Sequence, residues 1–196
     1  MTTPILTILA GPNGAGKSTF AAREFGYTIK DGTFLNADEM AKELGNGQYV
    51  GQENNAARLI IKKRSQFIRQ RQSFIIETTL ASRGLLQALN QAQAKSYQIH
   101  LHYLWISEPD LCDFRVKQRV LNGGHNIELD IIMRRYVKSL YYLPDYLEKA
   151  DTIWIYQADL MPVLIMTKEE NTSTIHSQEL WQQLQTQITQ IRAAYL

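Results

Sequence analysis

Short, nearly continuous apolar runs alternate along this chain with longer stretches in which apolar residues recur at helical spacing. Ile5 to Ala10 is the first such run and ends at a glycine, the pattern of a strand buried on both faces. A helix is predicted to begin at Lys17, a second strand at Thr33 to Asn36 and a short helix near Ala37, because Asn36 and Asp38 both suit a helix start. A loop marked by Gly45, Gly47 and Gly51 follows. Glu53 to Gln72 carries Ala56, Leu59, Ile60 and Phe67 among Arg and Lys, which predicts an amphipathic helix. Ser73 to Thr78 then reads as a buried strand whose polar end arrives at Glu77.

The alternation continues with a helix over Leu85 to Lys95 and a strand over Gln98 to Ile106. Pro109 suits a first helical turn, and that helix should stop at Gly123-Gly124. A further helix is predicted from Glu128 to Leu143, where Pro144 interrupts. Strands over Thr152 to Tyr156 and Val163 to Thr167 precede a closing helix over Gln178 to Tyr195, with Leu180, Leu184, Ile188 and Ile191 on one face. This order predicts an α/β fold, a mostly parallel central sheet with helices on both faces, which binds ligands at the carboxyl ends of its strands.

A length of 196 residues fits one domain over the whole chain. Apolar residues at 44% and charged residues at 20% are ordinary globular usage, which argues against disorder. Lys plus Arg number 21 against 19 acids, and a net charge of +2 is too small to favour a nucleic-acid partner. Cys112 is the single cysteine, so no internal disulfide is possible and an inert packing role is the plainer reading. His100 and His102 share a strand face without a third metal ligand. Met1 to Ala10 lacks the pattern of a signal peptide, and the apolar runs fall short of the roughly 20 residues that cross a bilayer. A cytoplasmic address without a membrane partner is therefore expected.

The residues after the first strand carry the clearest chemistry. Gly11-Pro12-Asn13-Gly14-Ala15-Gly16-Lys17-Ser18, followed by Thr19, meets the pattern G-x-x-x-x-G-K-[S/T] between a strand and a helix. Such a loop turns backbone N–H groups and a free helix start toward phosphate oxygens. Lys17 would reach the β- and γ-phosphates, and Ser18 would ligate magnesium. No Asn-Lys-x-Asp guanine reader and no Leu-Ser-Gly-Gly-Gln run is present, so ATP is preferred over GTP and a transport ATPase is not indicated. The expected fold is thus that of a P-loop NTPase or kinase.

Transfer of a γ-phosphoryl group to a hydroxyl needs a base, for which Asp38 is the candidate, with plain helix capping as its alternative. Glu77 reaches the ligand face of the sheet, where a structural ion pair is the competing account. Arg115 and Arg119 lie four residues apart, and Arg134 and Arg135 follow the Gly-Gly break. Together they predict a helical lid over Glu108 to Leu143, in which Arg119 and Arg134 are preferred to Arg115 and Arg135. Solvated helix charge is the alternative. His125 follows the glycine pair and is placed either at phosphate or substrate or in a local loop hydrogen bond.

Gly11 to Thr19, Asn36-Ala37-Asp38, Phe74-Ile75-Ile76-Glu77-Thr78-Thr79, and Arg119-Val120 through His125 to Arg134-Arg135-Tyr136 together resemble the zeta-toxin family of P-loop kinases, in its short single-domain branch. The resemblance spans Ile5 to Gln157. It implies ATP- and magnesium-dependent phosphorylation of a hydroxyl on a UDP-activated amino sugar, notably UDP-N-acetylglucosamine, and an antitoxin protein as partner. By that resemblance Asp38 matches the base, Lys17 and Ser18 the loop residues, and Arg119 and Arg134 the arginines facing the γ-phosphate. Glu77 and Thr79, with Thr78 between them, match the substrate segment. A second reading of the same residues is an ATP-binding regulatory module that acts through a protein partner docked on the final helix.

Overall fold

The computed structural model describes residues 2–26, 33–46, 51–124, 126–170 and 172–195. The chain runs β1 (Ile5–Ala10), α1 (Lys17–Glu24), β2 (Phe34–Leu35), α2 (Ala37–Leu44), α3 (Glu53–Gln70), β3 (Phe74–Thr78) and α4 (Gly84–Gln93). It continues with β4 (Gln98–Trp105), α5 (Pro109–Leu121), α6 (Leu129–Lys149), β5 (Thr152–Gln157), β6 (Val163–Glu169), β7 (Thr172–Ile175) and α7 (Gln178–Ala194).

The apolar strands join one seven-stranded sheet in the order β2-β3-β1-β4-β5-β6-β7. The five strands from β2 to β5 are mutually parallel, and β6 and β7 are antiparallel additions. In β1, Ile8, Leu9 and Ala10 are consecutive and all fully buried, as are Tyr103, Leu104 and Trp105 in β4. Consecutive buried residues in a strand require cover on both faces of the sheet. β1 lies between β3 and β4, so the turn after Ala10 opens where the chain leaves in opposite directions across the sheet, the usual ligand crevice of such folds. Register brings Leu9 opposite Glu77 and Leu35 opposite Ile76, which delivers three successive strand ends to that crevice.

Two elements depart from the sequence pattern. Helix α6 runs through Pro144 to Lys149 instead of stopping at Leu143. Proline removes one helical hydrogen bond, but Ile132, Tyr136, Leu140, Leu143 and Tyr146 form one continuous buried stripe across that position, and their packing outweighs the local loss. Strand β7 is short and polar, with all four residues exposed, and it exists only as the outer partner of β6. Gly47 lies outside the described residues. No helix among the described residues is long and apolar enough to cross a membrane.

His102 is a core residue. Its ring stacks on Trp154 of the neighbouring strand with centroids 4.3 Å apart and planes 10° apart, and its Nδ1 is buried without a partner. Burial, and then the charge of His100, pull its pKa from 6.5 to about 4. The folded state therefore holds a neutral ring that the unfolded chain protonates below about pH 6.5. This contribution to stability is present above that pH and is lost as the pH falls toward 4. Replacing His102 by Phe is expected to flatten the fall of the thermal midpoint between pH 6.5 and 4, read by circular-dichroism melts. An unchanged slope would move the acid sensitivity elsewhere.

Candidate active site

The phosphate loop leaves β1 and closes into α1. Gly16 caps α1 in a left-handed conformation, with no side-chain cap and no acidic residue in the first turn, so the helix start is left open to an anion. Lys17 is only 7% exposed. Its Nζ donates to the carbonyls of Gly11 at 3.0 Å and Pro12 at 2.9 Å and lies 4.0 Å from Glu77 Oε1. Burial lowers the Lys17 pKa, opposed by the charges of Glu77 and Asp38.

Glu77 is held from two further sides. Ser18 Oγ donates to its Oε2 at 2.9 Å and Asn36 Nδ2 donates to the same oxygen at 2.7 Å. Burial pushes the Glu77 carboxyl up, opposed by Lys17 and by these two hydrogen bonds. Asn36 also accepts from the Glu39 N–H at 3.1 Å, which makes it the cap of α2. Asp38 is thereby released from capping and stands in the first turn of α2, with its Oδ2 3.4 Å from Arg119 Nη1. Asn36 is thus a site residue whose bridging role the sequence did not reveal. Thr78 Oγ1 accepts from the Leu80 N–H at 3.1 Å, and Thr78 and Thr79 both line the cleft beside Glu77.

The candidate arginines of α5 and α6 divide into different environments. Arg115 donates to the Gly14 carbonyl at 3.2 Å, to the Ala158 carbonyl at 2.8 Å and to the Asp159 carbonyl, fastening the phosphate loop to the segment after β5. Arg135 reaches Asn13 Oδ1 at 3.4 Å and lines the cleft. Arg134, preferred from sequence, is exposed and makes no hydrogen bond or ion pair among the described residues. The phase of α6 explains the difference: Ile132 and Tyr136 set its buried stripe, and Arg135 borders that stripe while its neighbour points outward. His125 lies outside the described residues. Cys112 is buried under the loop, and burial pushes its thiol up to about 12, so it is a packing group.

These side chains converge on a cleft of about 640 Å³ that contains Lys17, Asn36, Asp38, Glu77 and Arg135 in its lining. Ala57, Ile60, Ile61, Leu85 and Ile131 form its apolar wall. A smaller hollow of about 270 Å³ lies on the other side of the loop, between Gly16, Thr19, Arg115 and the exposed Leu160 and Met161.

The AAA domain family matches residues 6–144, from β1 into α6. The chain belongs to that family. Within this AAA domain fall the phosphate loop, Asp38, Glu77 and every candidate arginine. An uncharacterized protein from Haemophilus influenzae is 30% identical over 126 residues, covering 64% of this chain and 88% of its own. Among solved structures, the AvrRxo1-ORF1:AvrRxo1-ORF2 complex superposes with a TM-score of 0.76 at 12% identity, in forms with sulphate ions and with ATP. It covers 93% of this chain, which spans only 63% of that one. The PezAT chromosomal toxin-antitoxin system of Streptococcus pneumoniae gives a TM-score of 0.62 at 19% identity, with 97% and 88% coverage. The AAA domain of this chain therefore shares its α/β P-loop fold with the AvrRxo1-ORF1:AvrRxo1-ORF2 and PezAT structures.

Proposed function

We propose that the protein is an ATP-dependent kinase that transfers the γ-phosphoryl group to a hydroxyl of a small molecule, with a UDP-activated amino sugar such as UDP-N-acetylglucosamine as the acceptor. The observation that carries this reading is the single cleft in which Lys17 of the phosphate loop meets Asp38 and Glu77. A phosphate donor and a hydroxyl-handling carboxylate face one another there.

Nucleotide binding exchanges the Lys17 contacts with the Gly11 and Pro12 carbonyls for contacts with phosphate oxygens. The nucleoside end lies in the smaller hollow beside Arg115. Asp38 accepts the proton of the acceptor hydroxyl as that oxygen forms its bond to the γ-phosphorus and the bond to the β-phosphate oxygen breaks, leaving ADP. Arg119 and Arg135 meet the charge that spreads over the equatorial oxygens. Glu77, Thr78 and Thr79 orient the acceptor.

Ser18 and Glu77 fit a magnesium ion, since a hydroxyl and a carboxylate stand 2.9 Å apart beside the loop. Among the described residues no group of three His, Cys, Asp or Glu side chains could hold a metal alone, which suits an ion bound largely by phosphate and water. When bound, that ion neutralises the β- and γ-phosphate oxygens. A small antitoxin protein is proposed as partner because PezAT is a toxin-antitoxin system of the same fold.

Purified protein with labelled ATP, magnesium and either UDP-N-acetylglucosamine or a metabolite extract is expected to yield a phosphorylated product by mass spectrometry. Lys17→Ala should lower its rate by a factor on the order of 10²–10³. Tight ATP binding without product on any acceptor would replace this reading with that of an ATP-binding regulatory module.

A further inference from the structure

Arg64 is a cation that the transfer chemistry leaves unused. It sits on α3 in one stripe with Ala57, Ile60 and Ile61, and all four line the main cleft. The stripe extends for about 10 Å at roughly 1.5 Å per residue and changes from apolar to cationic at its end. Arg64 Nε is buried without a hydrogen-bond partner, and Arg64 has no hydrogen bond or ion pair among the described residues.

The carboxylates of the cleft are committed elsewhere. Asp38 faces Arg119, Glu77 takes Ser18 and Asn36 with Lys17 nearby, and Glu128 accepts from Asn126 at 2.9 Å. A half-buried guanidinium without a counter-ion costs free energy that a bound anion would recover.

A second feature lies in the same part of the cleft. Ser82, Gly84 and Leu85 line it where α4 begins, and this ten-residue helix has neither a side-chain cap nor an acidic residue in its first turn. Tyr146 ties the two features together. Its hydroxyl donates to the Ser82 carbonyl at 2.7 Å, and its side chain lies within electrostatic reach of Arg64. Arg64 and the start of α4, which no side chain caps, thus line one volume beside the apolar wall.

We propose that Arg64 and the amino end of α4 form an oxyanion-holding subsite in the acceptor cleft, so that the acceptor carries a carboxylate or phosphate separated from its reacting hydroxyl by an apolar or flat segment. The acceptor half of this statement rests on the kinase reading, whereas the anion site stands without it. Arg64 acts by binding and selecting the acceptor, and Ala57, Ile60 and Ile61 receive the segment between its two ends.

Inorganic phosphate titrated calorimetrically into protein already saturated with ADP and magnesium tests the site directly, with acetate as the carboxylate arm. An oxyanion site is expected that is weakened at least ~10-fold in Arg64→Gln, partly restored in Arg64→Lys and unchanged in Lys62→Gln, which removes an exposed cation of the same helix outside the cleft lining. Turnover on UDP-N-acetylglucosamine compared with free N-acetylglucosamine, and on a sugar acid compared with its neutral sugar, tests selection. Arg64→Gln should raise KM for the anionic acceptors about 10- to 100-fold, leave kcat within about threefold and leave the neutral acceptors unaffected. Oxyanion affinity indifferent to Arg64, or equal KM for anionic and neutral acceptors, overturns the subsite while leaving the kinase intact. An Arg64-dependent phosphate site without turnover on any acceptor upholds the subsite and overturns the kinase reading.

Discussion

Asparagine at Asp38 is expected to slow phosphoryl transfer by a factor of about 10²–10⁴, the usual contribution of a positioned general base, while ATP binds almost as before. The substitution keeps the size of the side chain and removes only its capacity to take a proton. The fold should tolerate it, because Asn36 and not Asp38 caps α2. The contact with Arg119 joins side chains that are 40% and 47% exposed, so its loss costs no more than about 1 kcal/mol. Single-turnover rates, calorimetric ATP affinity and a melting curve on the same preparation separate these effects. Normal turnover would remove Asp38 from the mechanism, and a large drop in melting temperature would return it to a structural role.

Alanine at Gly11 should damage both fold and function. Gly11 adopts φ +146°, and a Cβ there would lie 2.3 Å from the backbone oxygen of Leu104 and 3.3 Å from the Ala15 Cβ. Leu104 is fully buried in β4, hydrogen-bonded between β1 and β5, so its carbonyl cannot move aside without shifting the centre of the sheet. A loss of about 3 kcal/mol is expected in urea unfolding, at the upper end for forced overpacking. Phosphate binding should fail as well, because the same carbonyl-lined turn holds Lys17. Gly123→Ala is the control. Gly123 has φ +83° and nothing within 4 Å of an added Cβ, so only backbone strain of about 1–2 kcal/mol applies. Equal losses at the two positions would show that conformational strain and not contact governs Gly11.

The strand-loop-helix unit was legible because three local signals coincide there: an apolar run, the spacing of glycines, and a lysine at the helix start. Glu77 was legible for a related reason, since a buried run that ends in one acid places that acid at a sheet edge. The choice between Arg134 and Arg135 was not. It depends on the rotational phase of α6, and adjacent helical residues point about 100° apart. The passage of α6 through Pro144 was hidden because the local rule against proline is overridden by a tertiary stripe of buried side chains. β7 gave no apolar signal, because Thr-Ser-Thr-Ile gains its order from β6 alone. Arg64 was concealed among the charged residues of an amphipathic helix, where most cations face solvent. The second bond of Asn36 spans 41 positions, and no local pattern announces an amide that serves its own helix and a distant carboxylate at once.

The two halves of the site differ in how they are anchored. The phosphate loop issues from β1, which is paired along both edges, whereas Asn36 and Asp38 follow a two-residue strand that pairs with β3 alone. Much of the remaining cleft wall is a row of side chains on α3. A substitution at the α3 margin therefore reshapes the cleft without disturbing the paired strands that carry the phosphate loop.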